Sequence, residues 1–130
     1  MSKIISFLKF IFHISTILLI VISLYPGSLI GYFIYGDLGK QPDLIKNPFG
    51  TAINHFISYF YLTILGLLLY LKNENFKKLM YGLFFLSITL EIFQIIVPNR
   101  HFQLEDLIGN LLGVVLAVTI IKVYLFFKKS

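Results

Sequence analysis

Six polar side chains stand out because they sit in or beside long apolar runs: His55, Glu91, Gln94, Arg100, Asp106 and Asn110. Two carboxylates and an imidazole are the raw material of acid–base chemistry. An arginine fork suits a carboxylate or a phosphate, and two amides offer directional hydrogen bonds. The spacing is helical. Ser87, Glu91 and Gln94 fall at i−4, i and i+3, a polar stripe on one face. Asp106, Gly109, Asn110, Gly113 and Ala117 share a second face, whose small members allow another helix to come close. His55, Ser58, Tyr59, Leu62 and Gly66 share a third, with Thr51 and Asn54 at its edge.

Each of these residues also has a plainer reading. His55 alone near a helix end is often an interfacial hydrogen-bonding residue. Asp106, near the start of its helix, fits a capping carboxylate. Arg100 fits an internal ion pair with Glu91 or Asp106, or the capture of an anionic group, and one site can do both. His13 with Lys9 reads as packing and snorkelling, and the segment from Lys72 to Lys78 as an ordinary turn. No cysteine is present, which excludes a disulfide framework, a thiolate metal site and a cysteine nucleophile. No cofactor or metal is implied.

The elements that must position these groups follow from composition. The 130 residues are 58% hydrophobic and only 13% charged, about half the charge of an ordinary soluble domain. Four apolar runs, about 4–24, 53–71, 79–97 and 104–127, are each roughly 19 to 24 residues long, enough to cross ~30 Å of hydrocarbon. They do not alternate as barrel strands would. The expected fold is therefore all-α, a polytopic membrane four-helix bundle forming a single domain over 1–130. Pro98 is expected to stop the third helix, leaving Glu91 about 10 Å in from its end.

Charge sets the expected orientation. Eight basic residues lie near the N-terminus, the second break or the C-terminus, against Lys40, Lys46 and Arg100 in the first and third breaks. Both termini are then cytoplasmic, with a long first extracytoplasmic loop. The net charge of +5 reads as this asymmetry and not as a nucleic-acid footprint. The first run lacks a small-x-small cleavage pattern and reads as a retained helix. Glycines and prolines disfavour regular structure through much of the loop from Pro26 to Gly50, yet Leu29–Tyr35 is too apolar for a solvated loop. It reads as a segment resting on the bilayer or as a lid, with Tyr32, Phe33 and Tyr35 at headgroup level.

The run from Glu91 to Gly113 resembles the VanZ-like family of small membrane proteins. That family's pattern reads Glu-x-x-Gln, Pro-x-Arg and Asp-x-x-x-Asn-x-x-Gly. Glu91, Gln94, Pro98, Arg100, Asp106, Asn110 and Gly113 stand at those positions. His55-Phe56-Ile57-Ser58-Tyr59 is similar to its His-Phe-x-x-Tyr element, and Ser23 to Pro26 to its Ser-x-x-Pro turn. Where many members carry Asp-Lys before the histidine, this chain has Thr51-Ala52, and Ala117 replaces a family glycine. The family takes its name from a protein associated with resistance to the lipoglycopeptide teicoplanin.

Together these features lead to the expectation of a multi-pass protein of the cell membrane with a polar pocket under its outer face. The pocket residues are His55, Tyr59, Glu91, Gln94, Arg100, Asp106 and Asn110, with Pro98, Gly109 and Gly113 as structural supports. The expected ligand is the anionic or glycosylated head of a lipid-linked envelope precursor or a lipoglycopeptide, among membrane lipids and without nucleic acid. The alternative is an intramembrane enzyme using His55 with Glu91 or Asp106 as an acid–base pair. A transporter fits less well, since the polar groups lie toward one side and a transport path needs access from both.

Overall fold

The structure is a computed structural model that describes residues 2–43 and 45–129. It contains five helices: α1 (Lys3–Leu24), α2 (Leu29–Tyr35), α3 (Ala52–Leu69), α4 (Phe76–Phe93) and α5 (Leu104–Lys129). No strand occurs among the described residues.

Local chemistry sets most of these boundaries. The Ser2 hydroxyl accepts the Ile5 N–H at 3.3 Å and starts α1. At its far end, Pro26 has no N–H to offer the carbonyl of Ile22 four residues earlier. Within the loop, Ser28 accepts the Gly31 N–H at 2.9 Å and Gly36 adopts a left-handed conformation, which bounds α2 at both ends. The apolar segment from Leu29 is thus a short helix that its glycine-rich surroundings had obscured. Helix α4 starts three residues earlier than its apolar run and ends four residues before the expected Val97. Past Phe93 the chain tightens into turns, with Ile95 N–H donating to Ile92 O and Ile96 N–H to Phe93 O, each at 3.1 Å. Pro98 disfavours the α conformation at Val97 before it. Helix α4 therefore ends ahead of Pro98.

Helices α1, α3 and α5 are long and apolar enough to cross a membrane. Helix α4 equals α3 in length at 18 residues but carries Lys77, Lys78 and Glu91. Helix α3 packs against α1, α4 and, most extensively, α5, while α4 also touches α1 and α5. The core is formed by Tyr59, Leu67, Met80, Val114, Val118 and Ile121, with a second cluster of Phe12, Leu62 and Leu83. Phe12 is the one buried residue of α1, so this helix leans lightly on the rest.

The α3–α5 contact is backbone against backbone. A Cβ at Gly109 would lie 2.5 Å from the Ala52 carbonyl oxygen, and one at Gly113 would lie 2.5 Å from that of Phe56. Overpacking of this kind costs about 1 to 3 kcal/mol. Gly113→Leu is therefore expected to lower the thermal midpoint in detergent. Gly82→Ala, where a Cβ meets open space, is expected to raise stability by roughly 0.5 to 1 kcal/mol. Equal midpoints for wild type and Gly113→Leu would contradict this packing.

Candidate functional site

The ends of four helices meet where α1 and α4 finish and α3 and α5 begin. His55 enters from the first turn of α3 and is clamped through both ring nitrogens. Nδ1 lies 2.9 Å from Asn110 Oδ1 and 3.9 Å from Glu91 Oε2, and Nε2 lies 3.3 Å from Asp106 Oδ2. Asn110 Nδ2 donates to the Ser87 carbonyl at 3.0 Å, which turns its oxygen toward the imidazole. The Thr51 hydroxyl donates to Asp106 Oδ1 at 3.1 Å. The residue that departs from the family pattern thus serves the site as a neutral donor. An aspartate there would set a second carboxylate against Asp106.

Glu91 is 1% exposed, and its Oε1 accepts the Gln103 N–H at 3.2 Å. That amide precedes the first turn of α5, so a carboxylate from α4 satisfies an amide at the start of α5, where the helix dipole favours negative charge. Asp106 lies in the first turn of α5, but its carboxylate is engaged by Thr51 and His55. The capping role expected for Asp106 thus falls to Glu91.

Arg100 differs from expectation. Among the described residues no carboxylate lies within 4.0 Å of it, so the internal ion pair with Glu91 or Asp106 is not formed. It instead donates from Nη2 to Ile22 O at 2.6 Å and from Nε to Tyr25 O at 3.2 Å. Gln94 Nε2 donates to Ser23 O at 3.2 Å. The cause lies at the end of α1. Pro26 orphans the Ile22 carbonyl, the final carbonyls of a helix lack internal partners, and cations are favoured at that pole. Asn99, with φ of 59°, turns the chain so that Arg100 can reach them. Burial pushes the Arg100 pKa below its ordinary value, while the charges of Glu91 and Asp106 pull it back up.

Two cavities adjoin this arginine. An outer one of about 250 Å³ is bounded by Gly27, Ser28, Leu38, Gln41, Asn99 and Arg100. A smaller inner chamber of about 70 Å³ is bounded by Gln41, His55, Ser58, Tyr59, Gln94 and Arg100. Gln41 and Arg100 line both and stand between them. Tyr59 is 1% exposed, and its buried hydroxyl has no hydrogen-bond partner among the described residues. A wider apolar groove of about 660 Å³, with Phe49, Phe56 and Leu112 in its walls, includes the Ala52–Gly109 contact but none of the clamp residues.

The structure thus brings His55, Glu91, Asp106 and Asn110 into one polar cluster around the imidazole. Gln94, Arg100 and Tyr59 lie beside it around the inner chamber. Pro98 lies in the turn between α4 and α5, and Gly109 and Gly113 lie in the α3–α5 contact. Among the described residues no group of three or more histidine, aspartate or glutamate side chains is arranged to hold a metal ion. Sequence reasoning missed Gln41, the Gln103 amide and the α1 carbonyls. Only the last carried a signal, in the proline four residues after Ile22. Asn54, placed at the edge of a face, donates to the Pro42 carbonyl at 2.9 Å and holds the long loop over the chamber.

Apolar helices of spanning length around a buried polar cluster define an all-helical membrane protein. A family comparison agrees: the chain belongs to the VanZ/LLP1 family, whose model matches residues 5–127. Comparisons with curated proteins and with solved structures return no match.

A hydrogen bond from a charged donor is worth about 1.5 to 3 kcal/mol. Arg100→Ala is therefore expected to fray the end of α1, raising amide exchange over residues 19–28 by roughly tenfold or more. Arg100→Lys restores part of the protection, because one ammonium replaces a two-pronged contact. Unchanged exchange in Arg100→Ala would contradict the capping role.

Proposed function

We propose that this chain is a multi-pass membrane protein whose four long helices all span. The site then lies just beneath the outer face and both termini lie in the cytoplasm. The basic residues favour that orientation. For α4, Lys77 and Lys78 sit at the helix start, where lysines reach the interface, and Glu91 is buried against protein and away from lipid.

The site binds the anionic head group of a lipid-type envelope molecule. One observation carries this reading: a partly buried arginine, with no carboxylate within 4.0 Å among the described residues, borders two cavities, and the inner one is also lined by Tyr59, whose buried hydroxyl has no hydrogen-bond partner among those residues. A buried donor without an acceptor is costly, and a phosphate or carboxylate oxygen would satisfy the Tyr59 hydroxyl while pairing with the N–H groups that Arg100 does not spend on Ile22 and Tyr25. His55, Glu91, Asp106 and Asn110 are spent on one another and act as the frame. Acid–base catalysis by His55 has weaker support, since both of its ring nitrogens already face protein oxygens. In a cell, a lipoglycopeptide such as teicoplanin, or a lipid-linked wall precursor, would be met on this side. Resistance would then follow from capture of one of them.

Two measurements test this. Lipids co-purifying with wild type are expected to be enriched in anionic species by mass spectrometry, with roughly tenfold less on Arg100→Ala. Identical lipid profiles would overturn the binding reading. The absence of cysteine permits single-cysteine labelling. Asp37→Cys is expected to react with an impermeant maleimide on intact cells and Ser2→Cys only after lysis. The reverse pattern would overturn the orientation.

A further inference from the structure

The inner chamber continues beyond the clamp. Leu19, Ile22 and Ser58 line it, and the same three residues line an apolar groove of about 220 Å³ between α1 and α3, whose other walls include Leu18, Tyr61 and Leu62. On the opposite side the chamber meets the outer cavity at Gln41 and Arg100. Three spaces therefore lie in series: an outer polar cavity, a chamber with Arg100 and Tyr59, and an apolar groove. Leu18 and Tyr61 are exposed, so the groove opens on the outside of two helices that are long and apolar enough to cross a membrane. Its open side then faces hydrocarbon. The helix that forms one wall is also lightly held, since only Phe12 of α1 is buried.

From this continuity we infer that the site takes a phosphate-bearing amphiphile that enters sideways from the bilayer between α1 and α3. Its phosphate rests at Arg100 and Tyr59, its alkyl chain lies along Leu18, Leu19 and Leu62, and any further head group fills the outer cavity. The inference rests on the binding reading above and adds the ligand's architecture and route. Charge and polarity match along the track. Arg100 uses two of its N–H groups on the carbonyls of Ile22 and Tyr25 and retains others for phosphate oxygens. The Tyr59 hydroxyl supplies a further donor from a buried position. An alkyl chain leaving lipid for an apolar groove loses little, so selectivity comes from the phosphate and the shape of the groove. Arg100 and Gln94 anchor α1 at the polar end, and Phe12, His13 and Lys9 meet Tyr70 and the core toward the other, so the groove lies between two anchored stretches of α1.

The test uses dodecyl phosphate carrying a diazirine near the end of its alkyl chain, with the full-length protein in nanodiscs of zwitterionic lipid. Illumination followed by mass spectrometry locates the label. The label is expected on the groove walls around Leu18, Tyr61 and Leu62. The total yield is expected to fall about tenfold in Arg100→Ala. Leu18→Trp, which fills the groove, is expected to cut labelling there about fivefold, whereas Ile17→Trp on the same helix is expected to leave it within twofold. Millimolar inorganic phosphate is expected to displace little of the probe. Label dispersed over other lipid-facing surfaces, with an Arg100-dependent yield, would overturn the lateral route and leave the binding reading standing. Complete displacement by inorganic phosphate would also overturn it, in favour of a free-phosphate site. A yield indifferent to Arg100→Ala would remove both.

Discussion

The carbonyl of Ile22 has no helical donor, because the residue four positions on is proline, and Arg100 supplies one from 78 residues away in sequence. In an apolar surrounding an unmet carbonyl costs several kcal/mol, of order 2 to 7, so this contact is the constraint on which the site depends. It explains why the chain's one arginine lies between α4 and α5 and why the turn carries Asn99 in a left-handed conformation. It also keeps α1, which packs lightly elsewhere, against the other helices at one end. Glu91 meets the complementary need at the start of α5 by accepting the Gln103 amide. Two opposite helix poles are thus served by complementary side chains, a carboxyl acceptor at one and a guanidinium donor at the other.

From that arrangement the remaining geometry follows. With Glu91 and Asp106 facing the imidazole and the arginine turned to the end of α1, the carboxylates hold His55 and, among the described residues, none lies within 4.0 Å of the guanidinium. The close α3–α5 packing at Gly109 and Gly113 sets Thr51 and Asp106 within hydrogen-bond reach. Asn110 and Asp106 flank the imidazole and are themselves tied to Ser87 and Thr51, while Glu91 is tied to the Gln103 amide. The chamber beside this cluster is different. Tyr59, whose hydroxyl has no hydrogen-bond partner among the described residues, lines it together with Arg100, and these are the donors that the proposed ligand would meet.

The helices were legible to different degrees. The face of α5 from Asp106 through Ala117 was readable because small and polar residues recur at helical spacing in an apolar run, and all five are buried. Glu91, Ser87 and Gln94 were readable for the same reason. Helix α2 was hidden because seven residues between glycines give too short a pattern to separate from a loop. The end of α4 was placed too late, since Pro98 shortens the helix through the residues before it. The partner of Arg100 was not legible. Charge counting points an arginine to a carboxylate, while its actual partners are main-chain oxygens, whose need shows only through Pro26. Gln41 lies in an irregular loop with no period, so nothing in the sequence marked it.

In the proposed complex a single ligand oxyanion sits between Arg100 and Tyr59. A double-mutant cycle with Arg100→Ala and Tyr59→Phe, read as the affinity for dodecyl phosphate in nanodiscs, tests it most directly. Residues sharing one partner couple by about 0.5 to 3 kcal/mol, so the double variant is expected to lose clearly less than the sum of the two single losses. Strict additivity, or no loss in either single variant, would contradict the account.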